Sequence, residues 1–538
     1  MKYKTLKLFV LALACMWISQ SCTKDFETLN NDPKNPTETT PPMLFNGVLS
    51  YLPLGYGEMG AIHNGRYYFQ TQQLANATPN YPITGGASNI WDNYYMMLKN
   101  IRLLYSMLDN VSSTIKVDNA KACVDIMLAY LTIRMVDYVG DMPFFDAGKG
   151  GDGPQNFAVK YDKQQDIYKY CVELLLNGGL ALTTATADQY SFGNGDTFLK
   201  GDLLMWKKFA NSLALRYAMQ LADADAATYT PVITKILGEP ATYPVITGSE
   251  TIGLWPNLPM DSHPWSYREN NNSCLGTTMW RMMSDNDNTD GSGIFDPRCF
   301  VFFEPNVDGE WKARPQNPDE NTPVQDRGPY LTSAFPNGRN RGATLQEWEN
   351  KGSGCRFSPV NFYLATNDDF IPEVIITAAE VQFLIAEAYN RGKGVAKDAA
   401  KAKSAYEAGI RASMNFWYQQ VVTPCNMWII NKPSITQEQI DNYLTKMAYE
   451  ADEAAALKQI YAQLWIDSFR QPWVAFNLYR RTLATPRDES GTYNPANYNF
   501  HKVPYDQSEW DYNKENYIAG TGDANNANPT DKKLFWHK

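Results

Sequence analysis

Four tryptophans, Trp255, Trp265, Trp280 and Trp311, fall within 57 residues, among Asn257, Asp261, Tyr267, Arg268 and Arg281. Flat rings beside amide, carboxylate and guanidinium groups suit a ligand with apolar C–H faces and hydroxylated edges. The ring supplies contact area at low entropic cost and the polar groups fix the hydroxyls. Trp265, Tyr267 and Trp280 are the expected platforms, Arg281, Asn257 and Asp261 the expected hydroxyl partners, and Trp255 and Trp311 further candidates. Core packing is the competing role for every tryptophan, because so large a ring is usually buried in part. A second aromatic segment, with Tyr67, Tyr68, Tyr81, Pro82 and Gly85-Gly86 ahead of Trp91, is the other candidate for ligand contact, with Tyr81 as its ring; Trp91 itself is expected to pack.

Asp285-Asn286-Asp287-Asn288-Thr289-Asp290-Gly291 sets oxygen ligands at alternating positions, as a calcium loop does. The glycine required at the sixth position of an EF-hand loop falls at the seventh, although Asp296 stands twelfth. Two readings stay open: weak calcium binding through Asp285, Asp287 and Asp290, or a solvated acidic turn. No other cofactor is expected. His63, His263, His501 and His537 lack metal-binding spacing and the eight cysteines form no Cys-x-x-Cys pair. Hydrolysis of a glycan would need two carboxylates about 5–9 Å apart. The chain has 58 acids, and nothing marks one pair: Glu380 and Glu387 have capping or surface explanations and Asp368-Asp369 reads as a turn. The expectation is a binder and not an enzyme, with a surface glycoside hydrolase as the lesser alternative. With 48 basic residues, a net charge of −10 and no basic block, nucleic acid is excluded as a partner.

The elements that carry these residues begin with export. Lys2, Lys4 and Lys7 precede the 11-residue apolar run Leu8 to Ile18, too short to span a bilayer and suited to a signal peptide over 1–21. Ile18-Ser19-Gln20-Ser21-Cys22 resembles a loose lipobox of the Bacteroidota, making Cys22 the acylated residue, and Lys24, Asp25 and Glu27 resemble that phylum's surface-export signal. A tether follows to residue 42. Residues 43–237 read as helical pairs, Asn93–Leu108 with Ala120–Val139, then Asp162–Leu176 with a helix capped by Asp202. Periodicity vanishes over 238–372, a packed irregular insert with short strands and its own purpose. Residues 373–481 return to helical pairs. A capping box at Thr377 and Glu380 opens a helix to Arg391, followed by Ala396–Ser413, and a second box at Ser434 and Gln437 leads to a helix from Glu450 to Phe469. The repeat of roughly 34 residues matches a tetratricopeptide period. The tail, 482–538, reads as irregular. The fold class is mainly α: about four tetratricopeptide-like pairs carrying the insert. Four dispersed cysteines, Cys123, Cys171, Cys274 and Cys299, with Cys355 and Cys425, are expected to be mostly buried free thiols.

Several segments together resemble the SusD/RagB (starch-utilisation D-like) family. They are Trp91-Asp92-Asn93-Tyr94-Tyr95 to Leu103, Lys200-Gly201-Asp202 with Trp206 through Arg216, Ile376-Thr377-Ala378-Ala379-Glu380 to Ala388, and Lys502-Val503-Pro504-Tyr505 with Ser508-Glu509 and Asn516. Asn31-Asp32-Pro33-Lys34-Asn35-Pro36-Thr37 is similar to the opening of one subgroup. The resemblance implies an outer-membrane lipoprotein, lipid-anchored and facing the cell exterior. It would capture a glycan, or in some members a peptide, for a SusC-like TonB-dependent transporter.

Overall fold

The computed structural model describes residues 39–55, 57–76, 86–150, 158–254, 273–306, 308–319, 321–322, 356–361, 373–424 and 432–538. The first half is a stack of helices: α1 (Pro41–Leu49), α2 (Gly86–Asp109), α3 (Asp118–Val139), α4 (Gln164–Ala181), α5 (Leu203–Leu221) and α6 (Ala226–Gly238). A π-helical stretch, Glu58–Tyr67, joins α1 to the ladder described below. Each helix packs on the next from α2 to α6, so the expected pairs stack into one layer. α3 is buried on nearly every face because α2 and α4 enclose it. It stops at Gly140, whose φ of +84° suits glycine, and a Cβ there would lie 2.9 Å from the Leu534 side chain. Asp202 caps α5 as expected, accepting from the Met205 N–H at 2.9 Å.

The insert holds α7 (Thr277–Met283) and little other regular structure among the described residues. Among the described residues four short strands form two antiparallel pairs: β1 (Ala75–Asn76) with β3 (Ser273–Cys274), and β2 (Thr251–Leu254) with β4 (Glu373–Thr377). β2 and β4 close the base of the insert, and β4 runs directly into α8 (Ala378–Arg391). After α8 come α9 (Ala399–Asn415), α10 (Gln437–Lys446), α11 (Glu453–Asp467) and α12 (Pro472–Thr482). α8 packs on α9 and α11, α10 on α9, and α12 on α11.

Several expected boundaries are corrected. The second capping box belongs to Thr436 and Gln439, two residues after Ser434 and Gln437, and it is complete. Helices expected from Ala396 and Glu450 start three residues later, capped by Asp398 and Asp452. The Thr377 box is only half formed: Thr377 Oγ1 accepts from the Glu380 N–H at 2.9 Å, but the Glu380 carboxylate is drawn away to Arg216. That ion pair, bidentate at 2.5 and 2.6 Å and under 10% exposed on both sides, joins α5 to α8 and hence the two helical halves. Glu387 is not a surface residue; it is fully buried against Arg481 (2.7 and 2.6 Å), Arg391 and the Tyr461 hydroxyl. A third buried cation ties down the insert. Arg298 pairs with Asp296 and donates to Ser413 Oγ, the Tyr443 hydroxyl and Gln463 Oε1 on α9, α10 and α11.

The tail is more ordered than its composition implies. It contains short helices at Gln507–Tyr512 and Lys514–Thr521 and threads back onto the first half, with Val503 N–H bonded to Tyr138 O and Trp536 Nε1–H to the Tyr168 hydroxyl. A continuous apolar core runs from Leu44 to Trp536. Cys123, Cys171, Cys274 and Cys299 are buried free thiols; Cys355 and Cys425 lie outside the described residues. Among the described residues no helix is long and apolar enough to cross a membrane.

Candidate functional site

The β1–β3 ladder pairs the strand that precedes residues 77–85 with the strand that follows residues 255–272. Ala75 lies opposite Cys274 and Asn76 opposite Ser273. In an antiparallel pair the chain therefore leaves β1 at the same end at which it enters β3. Residues 77–85, with Tyr81, and residues 255–272, with Trp255, Asn257, Asp261, Trp265 and Tyr267, attach to that one end. These six side chains lie outside the described residues, as do Cys22, Lys24, Asp25 and Glu27.

Beneath the ladder, three distant segments lock together through polar side chains. Gln72, in left-handed backbone at φ 57°, accepts at Oε1 from the Asp488 N–H (2.6 Å) and the Thr278 hydroxyl (2.7 Å), and donates from Nε2 to Asp488 O (3.2 Å). The Asp488 carboxylate accepts from Thr277 Oγ1 at 2.6 Å and Ser490 N–H at 3.0 Å, and pairs with Arg281 at 3.0 Å. Burial alone would raise its pKa, but the donors Ser490 and Thr277 and the Arg281 charge overcome that and pull it down to about 2. Asp488 is thus a fixed anion, and it orients Arg281, which remains 58% exposed. Among the described residues Arg281, on the α7 helix that follows β3, is the expected contact residue that the structure presents to solvent.

Its neighbour faces the other way. Trp280, 4% exposed, stacks on Trp311, 7% exposed, with ring centroids 6.4 Å apart and planes at 15°; Trp280 Nε1–H donates to Asp287 at 2.8 Å. Gly291, at φ +77°, lets the turn pass the Trp311 ring, where a Cβ would come within 2.7 Å. The expected platform Trp280 and the candidate Trp311 are therefore packing rings: successive residues of α7 point to core and solvent, and the indole takes the core side.

The acidic turn spends its carboxylates on protein donors. Asp285 pairs with Lys446 at 2.8 Å, Asp287 holds the Trp280 indole, Asp290 accepts from the Ser292 N–H at 2.8 Å, and Asp296 is the partner of Arg298. Among the described residues no group of three or more His, Cys, Asp or Glu is placed to hold a metal ion.

A stack in the tail escaped the sequence reading. Tyr498 lies parallel to Phe69 (4.9 Å, 7°) and against Tyr493 (5.2 Å), and the Arg487 guanidinium sits between the Tyr498 and Tyr479 rings at 4.5 and 4.4 Å. The Tyr498 hydroxyl accepts from Gln72 Nε2 at 3.1 Å and donates to Asn317 Oδ1 at 3.2 Å, so this stack buttresses the floor of the ladder. The only sequence signal was the tyrosine pair itself, five residues apart in a segment without periodicity.

A family model, SusD-like_2, described as "Starch-binding associating with outer membrane", matches residues 33–494. Among solved structures, a chitin-binding protein is 19% identical with a TM-score of 0.68, over 93% of this chain and 100% of its own. A SusD homolog from Parabacteroides distasonis is 20% identical with a TM-score of 0.67, over 93% and 98%. A chitin-binding SusD homolog from Flavobacterium johnsoniae is 19% identical with a TM-score of 0.62, over 92% and 97%. At these identities the likeness establishes the fold. Comparison with curated proteins gives no match.

Proposed function

The chain belongs to the SusD-like family of non-catalytic binding proteins, and from that premise we propose that it captures a glycan at the outer membrane for uptake by a SusC-like TonB-dependent transporter. The reading is supported by one observation: β1 and β3 pair so that the chain leaves β1 and enters β3 at the same ladder end, and α7, which follows β3, carries the exposed, carboxylate-held Arg281. On this reading the Tyr81 and Trp255–Tyr267 segments would supply rings for the sugar faces, and Arg281 a fixed cation for the hydroxyls. Two of the solved relatives are chitin-binding proteins, which favours a β-linked oligosaccharide among the probes to try first. The lipid on Cys22 holds the protein at the membrane, and Lys24, Asp25 and Glu27 send it to the outer face.

Titration calorimetry of the mature chain with chitin, starch and other oligosaccharides, beside a peptide library, tests the reading. Arg281→Ala, Tyr267→Ala and Trp265→Ala should each weaken the cognate oligosaccharide on the order of tenfold, about 1.4 kcal/mol, with little change in unfolding free energy. Tight peptide binding with no oligosaccharide response would replace the ligand class, and unchanged affinity in all three variants would remove the site.

A further inference from the structure

Away from the ladder, the flank of α2 forms one wall of a cleft of about 520 Å³, closed on its other sides by the loop after α3 and by the helix Gln507–Tyr512. Its apolar lining combines aromatic and thioether groups, Trp91 and Tyr95 with ring centroids 5.0 Å apart and Met96 at 57% exposure, with Pro143, Ala147 and Val159. Tyr95 is pinned by its hydroxyl, which donates to Pro143 O at 2.8 Å. Two carboxylates face the same space. Asp92 stands exposed at the rim, and Glu509 sits deeper, its Oε2 accepting from the Tyr161 hydroxyl and Asn513 Nδ2, both at 2.9 Å. Lys99, two turns along α2, is the one cation among the lining residues.

The charge is unbalanced toward the negative. Burial and the nearby Asp506 raise the pKa of Asp92, and burial, against hydrogen bonds from Asn513, Tyr161 and Trp91, raises that of Glu509, to which Asp506 also contributes. A positive group entering the cleft would relieve that cost, whereas an anion would add to it. The ring and thioether walls favour an organic cation over a hydrated metal ion, since cations are attracted to aromatic faces and C–H groups pack on them. No set of three ligating side chains is assembled among the described residues.

We infer that this cleft binds a protonated primary amine carried on a larger molecule, an amino sugar or a basic peptide side chain, with Asp92 and Glu509 accepting its N–H groups and Tyr95 and Met96 receiving the adjoining carbons. The site is separate from the ladder and does not depend on the glycan reading. Three ligands of equal length separate the sources: a glucosamine pentamer, its fully N-acetylated counterpart and a lysine-containing pentapeptide. Each is titrated calorimetrically into wild type, Asp92→Asn and Arg281→Ala. At least one amine ligand should bind wild type, weaken as salt is raised from 50 to 300 mM, lose at least fivefold in Asp92→Asn and keep its affinity in Arg281→Ala. Whichever amine binds names the source, and binding of the acetylated pentamer should be indifferent to Asp92→Asn. The inference is overturned if neither amine binds, or if Asp92→Asn binds both as wild type does. A loss confined to Arg281→Ala would speak for the ladder alone and against the cleft.

Discussion

Replacing Trp280 by Ala separates a ligand platform from a packing ring. The indole is 4% exposed and lies against Trp311, so its removal opens a cavity that the Trp311 ring, held by the Gly291 turn, cannot fill. Truncation of a buried Trp costs about 3–5 kcal/mol. The lost hydrogen bond to Asp287 adds little in this variant, because Asp287 sits on an exposed turn where water replaces the donor. Trp280→Phe keeps most of the ring contact and loses the N–H donor, for an expected cost of about 1–3 kcal/mol. Urea unfolding followed by far-UV circular dichroism supplies the stability change, and calorimetric titration of the cognate oligosaccharide, at a temperature where both variants are folded, supplies the affinity. The expected result is a graded loss of stability with affinity within about twofold of wild type. A Trp280→Ala protein that unfolds at the wild-type urea concentration and binds tenfold more weakly would refute the assignment of this ring to the core.

Arg216 and Glu380 should behave as a coupled pair: Glu380→Ala alone is expected to cost about 3–5 kcal/mol by stranding Arg216, whereas Arg216→Met with Glu380→Leu should recover much of that, as read by urea unfolding of the cycle. Glu373, buried beside Leu54 N–H with its pKa raised by burial to about 7, is neutral in the fold at pH values where the unfolded chain has already lost that proton. Its contribution to stability is therefore present at acid pH and lost as pH rises from about 4.5 to about 7. Glu373→Gln should gain unfolding free energy relative to wild type across that window and hold a constant advantage above it, and a difference flat with pH would contradict the shift. Cys22→Ala should move the protein out of the membrane fraction, and unchanged fractionation would remove the lipid anchor.

The long helices were legible because apolar residues recur at helical spacing over many turns, and α3 was read to within two residues of its start. The α10 cap was misplaced because Ser434-x-x-Gln437 and Thr436-x-x-Gln439 are equivalent as local chemistry. Burial of Ile440 and Tyr443 on one face decides between them, and that is a tertiary fact. Glu380 and Glu387 looked like cap and surface residues because their partners, Arg216 and Arg481, lie 164 and 94 residues away. For the same reason the candidate site was only half visible. Its residue types could be read, but two strands of two residues each carry no alternation, so nothing local announced that Ala75–Asn76 and Ser273–Cys274 pair. Trp280 and Arg281 were both singled out, and one residue of helical rotation separates an indole in the core from a guanidinium in solvent.

The threading of the tail bears on the order in which the molecule can be assembled. Tyr168 of α4 receives its indole partner from a residue 368 positions later, and the Asp141 backbone carbonyl is met by the Tyr505 hydroxyl across 364. Closing loops of that span costs entropy before any contact rewards it, so these contacts form late. A ribosome releases α2 to α6 long before the segment that completes their packing, so these helices must persist with an unfilled seam until the last stretch arrives. A nascent chain with so late a closing step has a long interval, before its packing is complete, in which holdase chaperones can engage it.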